Sequence, residues 1–388
     1  MDFDLSPEQQ GFRDEVRRFI KKEVIPLVQS PEKEKEFLWD VWRKMGKLGL
    51  LGMYIPESYG GSEADNVTSA LAIEEISRGH TALAFSVAPH NCFVGHTLSQ
   101  YGTEEQKKKF LPGIASGELI GSGGWTEPCA GSDVHGIKTR AIKNGDYYII
   151  NGSKTLITNA PIAHIFVTLV LTDDSTKPPG LTCFLFERGT PGISFGEELE
   201  KMGVLGSPTG EIFFDDCKIP IENRLGEENK GFSQLMETFE KGRILMAAMC
   251  TGTAIACFDV ALNYAKNRKA FGQSISNFQA IKFKIADMKS NIDAAHLLTM
   301  RAAWLKDRGQ SVEMEAAVAK LFASETSVKC AMDALQIHGG YGFMKENMVE
   351  RYMRDVMVNT IGEGTSEIQR LIIARNVLRQ LNYTYDHV

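Results

Sequence analysis

The sequence is poor in the features that mark secreted, zinc-binding and nucleic-acid-binding proteins. Its seven cysteines are odd in number, scattered, and never spaced as Cys-x-x-Cys, which argues against a disulfide framework and a zinc ribbon. No metal site is predicted. The chain has no long run of lysine and arginine, and 43 Lys plus Arg against 49 Asp plus Glu give a net charge of -6. We therefore expect no binding to nucleic acid or to an anionic membrane surface.

Targeting and membrane signals are also missing. No apolar run is expected to form a membrane span, and the start "MDFDLSPEQQ" has no basic, apolar or Ser/Arg-rich leader. These absences predict a cytoplasmic protein, although a mature organelle protein numbered after processing stays open. What remains is an ordinary globular chain of 388 residues, 43% hydrophobic and 24% charged, long enough for two or three domains.

Three regions of the chain differ in their residue pattern. Residues 1–118 repeat apolar residues at spacings of three and four, which predicts an α-helical domain. Residues 119–226 contain short β-branched and aromatic runs, such as "HIFVTLVL", separated by Gly, Pro, Asn and Asp; these predict a small antiparallel barrel or sandwich. Residues 227–388 contain long Ala-, Met- and Leu-rich helical segments, which predict an antiparallel four-helix bundle. The expected fold class is α+β multidomain, with a central β-barrel between two helical domains.

One carboxylate stands in an unusual place near the end of the chain. In "NTIGEGTSEIQR", residues 359–370, Glu363 lies between two glycines, which free the backbone for conformations that other residues resist. Ser366 and Gln369 have the spacing of a capping box, so a helix is predicted to begin near Ser366. On this segment alone, a solvated loop glutamate is the simpler interpretation.

Two further segments change that interpretation. "GWTEPCAGSDVHG", residues 124–136, is a Gly/Ser-rich turn suited to the polar edges of a cofactor or a thioester chain. "QIHGGYGFMKENMVERYMRD", residues 336–355, breaks a long helix with glycines that permit close approach of a ligand. Together they resemble the two signature motifs of the acyl-CoA dehydrogenase family. The resemblance continues through "IPESYGG", "EEQKKKFLP", "INGSKTLITNA", "NRKAFGQSISNFQ" and "EGTSEIQRLIIAR".

The resemblance implies a fold that agrees with the three patterns, and it implies a function. FAD would lie between the barrel and the bundle of a homotetramer built as a dimer of dimers. The reaction would be α,β-dehydrogenation of an acyl-CoA thioester to the 2-enoyl-CoA, with electrons passed to electron-transferring flavoprotein. Glu363 would be the base that removes the Cα proton. Some family members carry this base on the first bundle helix, where this chain has Gly242, so Glu363 is the one residue in a known base position.

The resemblance also assigns cofactor and substrate contacts. Three residues would border the isoalloxazine, with the hydroxyl of the last near N5: Trp125, Thr126 and Thr158. Six would meet the pyrophosphate and adenosine of FAD in the neighbouring subunit: Arg268, Phe271, Gln279, Gln336, Gly339 and Gly340. Two would touch the subunit's own FAD: Thr365 and Glu367. Candidates for substrate contact are Ser132, Glu240 and Arg243. An arginine suits a pyrophosphate through bidentate, charge-assisted hydrogen bonds, whereas Gln336 as a helix-end cap and Arg243 as a solvated helix residue stay open.

The chain departs from the family pattern beside the flavin and in the acyl pocket. Leu156 stands where the family often has a tryptophan, and Trp125 stands where a smaller residue is common. In "SVAPHNCFVG", residues 86–95, a proline is predicted to kink the helix that normally lines the acyl chain. Either His90 and Asn91 line a pocket for a bulky, cyclic or polar-substituted acyl group, or they face away and cap the kink.

Other functions on the same scaffold stay open. A short, branched or cyclic acyl group is expected, and Ala84 near the position of the arginine in glutaryl-type relatives argues against a simple dicarboxylate. A flavin oxidase or monooxygenase is one alternative, although such relatives commonly lose the glutamate that this chain keeps. An enoyl-CoA reductase would use the same residues in the opposite direction. A helical scaffold without chemistry is the alternative from a different class.

Overall fold

The structure is a computed structural model that describes residues 4–28 and 33–385. The first residues of the stretch "MDFDLSPEQQ" therefore lie outside the described part of the chain. Helices occupy both ends of the sequence and a β-sheet lies between them, as the three residue patterns predicted.

The N-terminal part is helical. Its helices are α1 (Pro7–Phe19), α2 (Ile25–Val28), α3 (Trp39–Lys47), α4 (Asn66–Gly79), α5 (Thr81–Pro89), α6 (Thr97–Tyr101) and α7 (Glu104–Ser116). A capping box starts α1, because the Ser6 hydroxyl accepts from the Gln9 N–H and the Gln9 side chain accepts from the Ser6 N–H. π-helical turns join α1 to α2 and α5 to α6, and the second of these, His90–His96, directly follows Pro89.

The central part is one sheet of eight strands. They are β1 (Gly121–Gly124), β2 (Arg140–Asn144), β3 (Tyr147–Thr158), β4 (Ile165–Asp173), β5 (Gly180–Glu187), β6 (Ile193–Phe195), β7 (Thr209–Pro220) and β8 (Arg224–Leu225). The strand order is β6-β7-β3-β2-β4-β5-β8, with β1 paired to β4. The β1–β4 and β2–β4 pairs are parallel, so the prediction of a purely antiparallel sheet was wrong. Among the described residues no pairing joins β6 to β8, so the sheet is open and closure into a barrel is not confirmed.

The C-terminal part is again helical. Four long helices, α8 (Gly231–Asn267), α9 (Gln279–Asp307), α10 (Glu313–His338) and α12 (Ser366–Tyr385), are accompanied by the short α11 (Met348–Asp355). A two-residue hairpin, β9 (Lys269–Ala270) with β10 (Gln273–Ser274), lies between α8 and α9.

Helix α8 is the central rod of the molecule and packs closely on α4. A Cβ at Gly252 would lie 2.1 Å from the Glu74 carbonyl oxygen, and the Ser77 hydroxyl donates to the Met249 carbonyl over 2.7 Å. Among the described residues, α8 alone is long and apolar enough to cross a membrane, with a mean hydropathy of 1.8. This contradicts the expectation drawn from the sequence. However, 78% of the apolar window is buried inside the protein, as expected for a core helix.

Candidate active site

Glu363 lies on a strained turn between α11 and α12. Its φ is +54° and that of Gly364 is +89°, which places both residues in the left-handed region. A residue with a Cβ adopts that region at a cost of about 1–3 kcal/mol and keeps it only where surrounding contacts enforce it. The backbone of the predicted base is therefore held in place by its neighbours.

The side chain of Gln369 is one of those neighbours. Its Nε2 donates to the carbonyls of Glu363 (3.1 Å) and Gly364 (2.9 Å). The helix begins at Ser366 as predicted, but the predicted capping box was wrong, because the Thr365 hydroxyl caps the helix by accepting from the Ile368 N–H. Gln369 instead fixes the turn that carries Glu363.

The Glu363 carboxylate is shielded from water. Its Oε2 atom is buried and has no hydrogen-bond partner within the protein. Burial raises the pKa of Glu363 from 4.5 to about 7, and the positive charges of Arg243 and Lys320 act in the opposite direction. A carboxylate with a pKa near neutrality is suited to act as a general base.

An aromatic wall stands beside this carboxylate. A Cβ at Gly242 on α8 would lie 2.5 Å from Glu363 Oε2 and 3.2 Å from the edge of the Phe93 ring. Phe93 packs edge-on against Trp125 and Phe239, with ring centroids 5.6 Å apart in both pairs. The three rings and the bare glycine form an apolar side of the space next to the carboxylate.

His90 and Asn91 do not face this space. The Gly121 N–H donates to His90 Nδ1 over 2.9 Å, so Nε2 carries the proton and donates to the Ile114 carbonyl over 3.1 Å. Burial lowers the pKa of His90 to about 4 and keeps the ring neutral. Asn91 bonds to backbone groups of three neighbouring residues. Of the two interpretations of the sequence, these contacts favour the one in which both side chains face away from the acyl pocket. Their polar groups fix the kinked helix against the sheet and the N-terminal loops.

Trp125 and Thr126 directly follow β1, and Thr158 is the last residue of β3; two hydrogen bonds link these segments. The Thr155 N–H donates to the Thr126 carbonyl over 2.9 Å, and the Ser122 hydroxyl donates to the Thr158 carbonyl over 2.6 Å. A buried ion pair supports this edge, because Lys154 Nζ contacts Glu127 Oε1 at 2.7 Å.

Leu156, at the position where the family often has a tryptophan, does not pack against the rest of the protein. Its backbone is left-handed, with φ +59°, and its side chain is 64% exposed. Trp125 instead supplies an aromatic ring, and that ring packs towards α8 through Phe239.

A second group of predicted cofactor residues lies at the far end of α8. A cavity of about 410 Å³ is lined by Arg268, Gly339, Gly340 and Tyr341, among others. A Cβ at either glycine would meet nothing within 4 Å, which leaves an open approach to the Arg268 guanidinium. Three more predicted contacts are exposed on the same end of the bundle: Phe271, Gln279 and Gln336.

The two groups are far apart within one chain. Gly242 and Arg268 are separated by most of α8, which corresponds to roughly 39 Å at the helical rise per residue. A single protomer therefore does not bring Arg268 to the carboxylate of Glu363.

The three predicted substrate contacts have different surroundings. Arg243 is buried beside the Phe239 ring, its Nε has no partner within the protein, and burial lowers the pKa of its guanidinium. Glu240 accepts from Lys306 Nζ (2.8 Å) and from two groups at the start of α10, so its oxygens already serve to join α8 to that region. Ser132 is exposed on the loop that follows β1.

The two residues predicted to touch the subunit's own FAD begin α12. The Thr365 hydroxyl is occupied as the cap described above, and Glu367 is exposed in the first helical turn.

Reasoning from the sequence missed Phe93 and Lys320. Lys320 is fully buried on α10, and its signal was a lone charge in the apolar run "AAVAKLFAS". The sequence does not single out Phe93, because it follows His90 and Asn91 on the same short helical turn, and these face the other way.

Comparison with known proteins identifies the family. Models of the N-terminal, middle and C-terminal domains of acyl-CoA dehydrogenases match residues 6–118, 122–217 and 229–378. A probable acyl-CoA dehydrogenase of Bacillus subtilis (strain 168) is 47% identical and covers 98% of this chain and 100% of its own. A subunit of the caffeyl-CoA reductase–Etf complex of Acetobacterium woodii is 41% identical over 97% of this chain and 100% of its own. The solved structure of butyryl-CoA dehydrogenase from Megasphaera elsdenii has a TM-score of 0.94 and 39% identity, covering 97% of this chain and 100% of its own.

These matches define the protein as a flavoprotein oxidoreductase. The chain belongs to the acyl-CoA dehydrogenase family. Its cofactor is FAD, in agreement with the FAD complex of PigA, a solved structure with a TM-score of 0.94 and 33% identity that covers 97% of this chain and 99% of its own.

The residues at the sheet edge fit a flavin. The Trp125 Nε1 and Thr168 Oγ1 atoms are buried and have no partner within the protein. A Cβ at Gly124 would lie 3.1 Å from that Thr168 oxygen, so the bare glycine backbone lies close to this unpaired atom. Unpaired polar atoms beside a bare backbone are suited to the polar edge of an isoalloxazine ring.

Proposed function

We propose that the protein is an FAD-dependent dehydrogenase of short-chain acyl-CoA thioesters, with Glu363 as its base. The observation that carries the proposal is the Glu363 carboxylate, whose Oε2 atom is buried, has no partner within the protein and lies against Gly242 on α8. The product is the 2-enoyl-CoA, and the electrons pass to electron-transferring flavoprotein.

The protein's own residues handle the proton. Bound FAD supplies the acceptor for the hydride that leaves Cβ of the substrate. Glu363 removes the Cα proton and becomes a neutral acid, the form that its buried site favours. Arg243 and Lys320 offset part of the cost of holding the carboxylate ionised before the reaction. The Glu363 N–H donates to the thioester carbonyl and stabilises the charge that develops there. Trp125, Thr126 and Thr158 hold the flavin, and Arg243 and Ser132 bind the CoA portion.

The aromatic wall sets the substrate class. Phe93, Trp125 and Phe239 pack edge-to-face on one another beside the base, and bulky rings at this position favour a short acyl group over a long linear one. Ala84 is buried and apolar, so no cation is supplied for a distal carboxylate at that position. His90 and Asn91 are already bonded within the protein and give no reason to expect a polar acyl group.

The distant Arg268 cavity fits a cofactor end that comes from another subunit. Phe271 is 94% exposed beside it, and such an exposed aromatic ring is expected to be covered in the assembled protein. We infer a homotetramer, a dimer of dimers, in which each FAD contacts two chains. The flavoprotein partner is supported by the relative from a reductase–Etf complex, and the bacterial relatives favour a cytoplasmic location.

The reverse reaction is the second candidate. The relative named as a reductase subunit is 41% identical, and reduction of an enoyl-CoA would use Glu363 as the acid that returns the proton. The oxidase and monooxygenase alternatives are disfavoured because the catalytic turn keeps its glutamate.

The proposal is tested by anaerobic bleaching of the flavin with a panel of CoA thioesters. Butyryl-CoA is expected to bleach the flavin faster than octanoyl-, glutaryl- and phenylpropionyl-CoA. Glu363→Gln should stay yellow and bind the thioester, while the bleaching rate falls by about 10²–10⁴-fold, the usual contribution of a general base. The matched control Glu325→Gln changes an exposed glutamate and should keep the parent rate. A Glu363→Gln protein that bleaches at the parent rate would show that Glu363 is not the base.

A further inference from the structure

Lys320 is a buried cation with a specific contact to the catalytic turn. Its side chain is fully buried on α10, among buried alanines on the same helix. Its Nζ donates to the Gly364 carbonyl over 2.8 Å. Burying an ammonium group is costly unless its hydrogen bonds and charge are compensated, so the contact to Gly364 calls for a reason beyond packing.

The contact acts on the residue next to Glu363. The Gly364 carbonyl accepts from Lys320 and also from Gln369 Nε2 over 2.9 Å. These two donors reach the turn from different helices, α10 and α12. The two donors fix the Gly364–Thr365 peptide, and Gln369 also donates to the Glu363 carbonyl over 3.1 Å. Because Glu363 and Gly364 are both left-handed, these bonds together hold the turn from which the Glu363 side chain projects.

The charge of Lys320 faces the carboxylate as well. The charged or titratable groups around Glu363 are Arg243 and Cys250 on α8, Cys92 on the π-helical turn, and Lys320 on α10. Arg243 and Lys320 both lower the pKa of Glu363, against the larger effect of burial. Burial lowers the pKa of Lys320, and Glu363 opposes that change.

We propose that Lys320 is a positioning residue for the base: its ammonium holds the Gly364 carbonyl, orients the turn, and places a positive charge beside the Glu363 carboxylate. This proposal rests on the proposed function, in which Glu363 is the base. Lys320 touches neither substrate nor the reacting atoms and acts through the turn.

The test is the pH profile of flavin reduction in Lys320→Met, a variant of similar length without the charge or the donor. The variant should stay yellow and bind the thioester. Its rate of reduction at neutral pH should fall roughly 10–100-fold, because a misplaced base costs up to about 10². The pH of half-maximal rate should rise by about one unit, since a nearby positive charge is lost.

Two further variants make the result decisive. Lys329→Met removes an exposed lysine from the same helix and should keep the parent rate and pH profile. If Lys320→Met does not hold FAD, Lys320→Gln is measured instead, and the same shift to higher pH is expected because the charge is again lost. An unchanged pH profile in the variant that holds FAD overturns the proposal.

The two proposals fail in different ways. A parent protein that no thioester bleaches overturns the proposed function, and with it the role of Lys320. If a thioester bleaches the parent and Lys320→Met keeps the parent rate and pH profile, the proposed function stands and only the positioning role of Lys320 is rejected.

Discussion

At the residue scale, Glu363 combines a left-handed backbone with a carboxylate that burial makes hard to ionise. Both features oppose folding, and under the proposed function both serve the chemistry. The turn directs the side chain towards the space beside Gly242, and burial brings the pKa to about 7. Trading stability for activity in this way is common at active sites.

This trade predicts that Glu363→Gln stabilises the protein in a pH-dependent way. The folded protein holds its proton more tightly than the unfolded chain, whose glutamate has the ordinary pKa of 4.5 against about 7 in the folded state. The stability that this proton supplies is fully present below about pH 4.5 and is lost as the pH rises through about 7. Above that pH the glutamine variant should be more stable by on the order of 3 kcal/mol.

Thermal unfolding of the parent and Glu363→Gln at pH 5 and pH 8.5 measures this effect. The difference in Tm should be small at the lower pH and clearly larger at the higher one. Glu325→Gln, an exposed change, should show no such trend. A difference in Tm that is the same at both pH values would mean that Glu363 is ionised without penalty in the folded protein.

At the scale of single elements, the kinked helix shows how a change in helical geometry decides which side chains face the active site. Pro89 lacks the N–H that would continue the α-helical pattern, and the π-helical turn that follows carries one more residue per hydrogen-bonded ring. His90 is thereby bonded to Gly121 and Ile114, while Phe93 meets Gly242. One side of the kinked helix is thus bonded to the protein interior, and the other side faces Gly242 and Glu363.

That separation predicts opposite effects for two substitutions on one element. His90→Leu leaves the buried Gly121 N–H without its partner, although the Ile114 carbonyl still accepts from the Gly117 N–H. The change should destabilise the protein by about 1–3 kcal/mol, with an unchanged order of preferred thioesters. Phe93→Ala should widen the pocket and raise the relative rate with hexanoyl- and octanoyl-CoA. Unfolding curves and the thioester panel, measured on both variants, check the pair. A shift in substrate preference for His90→Leu would return that side chain to the pocket.

The same element shows the limit of sequence reasoning. The long helices, the strand-rich centre and the position at which α12 begins were predicted from residue patterns. Three things were not: the side of the kinked helix that faces the pocket, the parallel pairing of β1 and β2 with β4, and the partner of Gln369. Each depends on contacts between segments that are distant in the sequence or on the rotation of a helix about its axis. Contacts and rotations of this kind produce no periodic pattern in the sequence. The domain limits at residues 118 and 226 stay predictions.

At the scale of the whole molecule, α8 carries the reaction site at one end and the Arg268 cavity at the other. If the cavity holds the FAD of a neighbouring subunit, cofactor binding and assembly are linked equilibria, and each stabilises the other. The exposed ring of Phe271 lies at the same end.

Arg268→Ala is therefore expected to weaken FAD retention and subunit association together. The variant should lose FAD on gel filtration and elute at a smaller mass, and added FAD should partly reverse both changes. Lys266→Ala, an exposed change one helical position away from the end of α8, should alter neither. An Arg268→Ala protein that keeps all its FAD as an isolated monomer would contradict the shared site.

The hydropathy of α8 also has a consequence for folding during translation. The helix is as apolar as a membrane segment, yet the bundle helix α10 that covers it is translated later, about 4–14 seconds later at ordinary elongation rates. During that interval α4, which is made earlier and contacts α8 in the folded protein through Ser77 and Gly252, is the helix available to cover the exposed face. Substitutions that loosen α4 from α8 would thus be felt first as aggregation or chaperone retention during synthesis, even where the finished enzyme tolerates them.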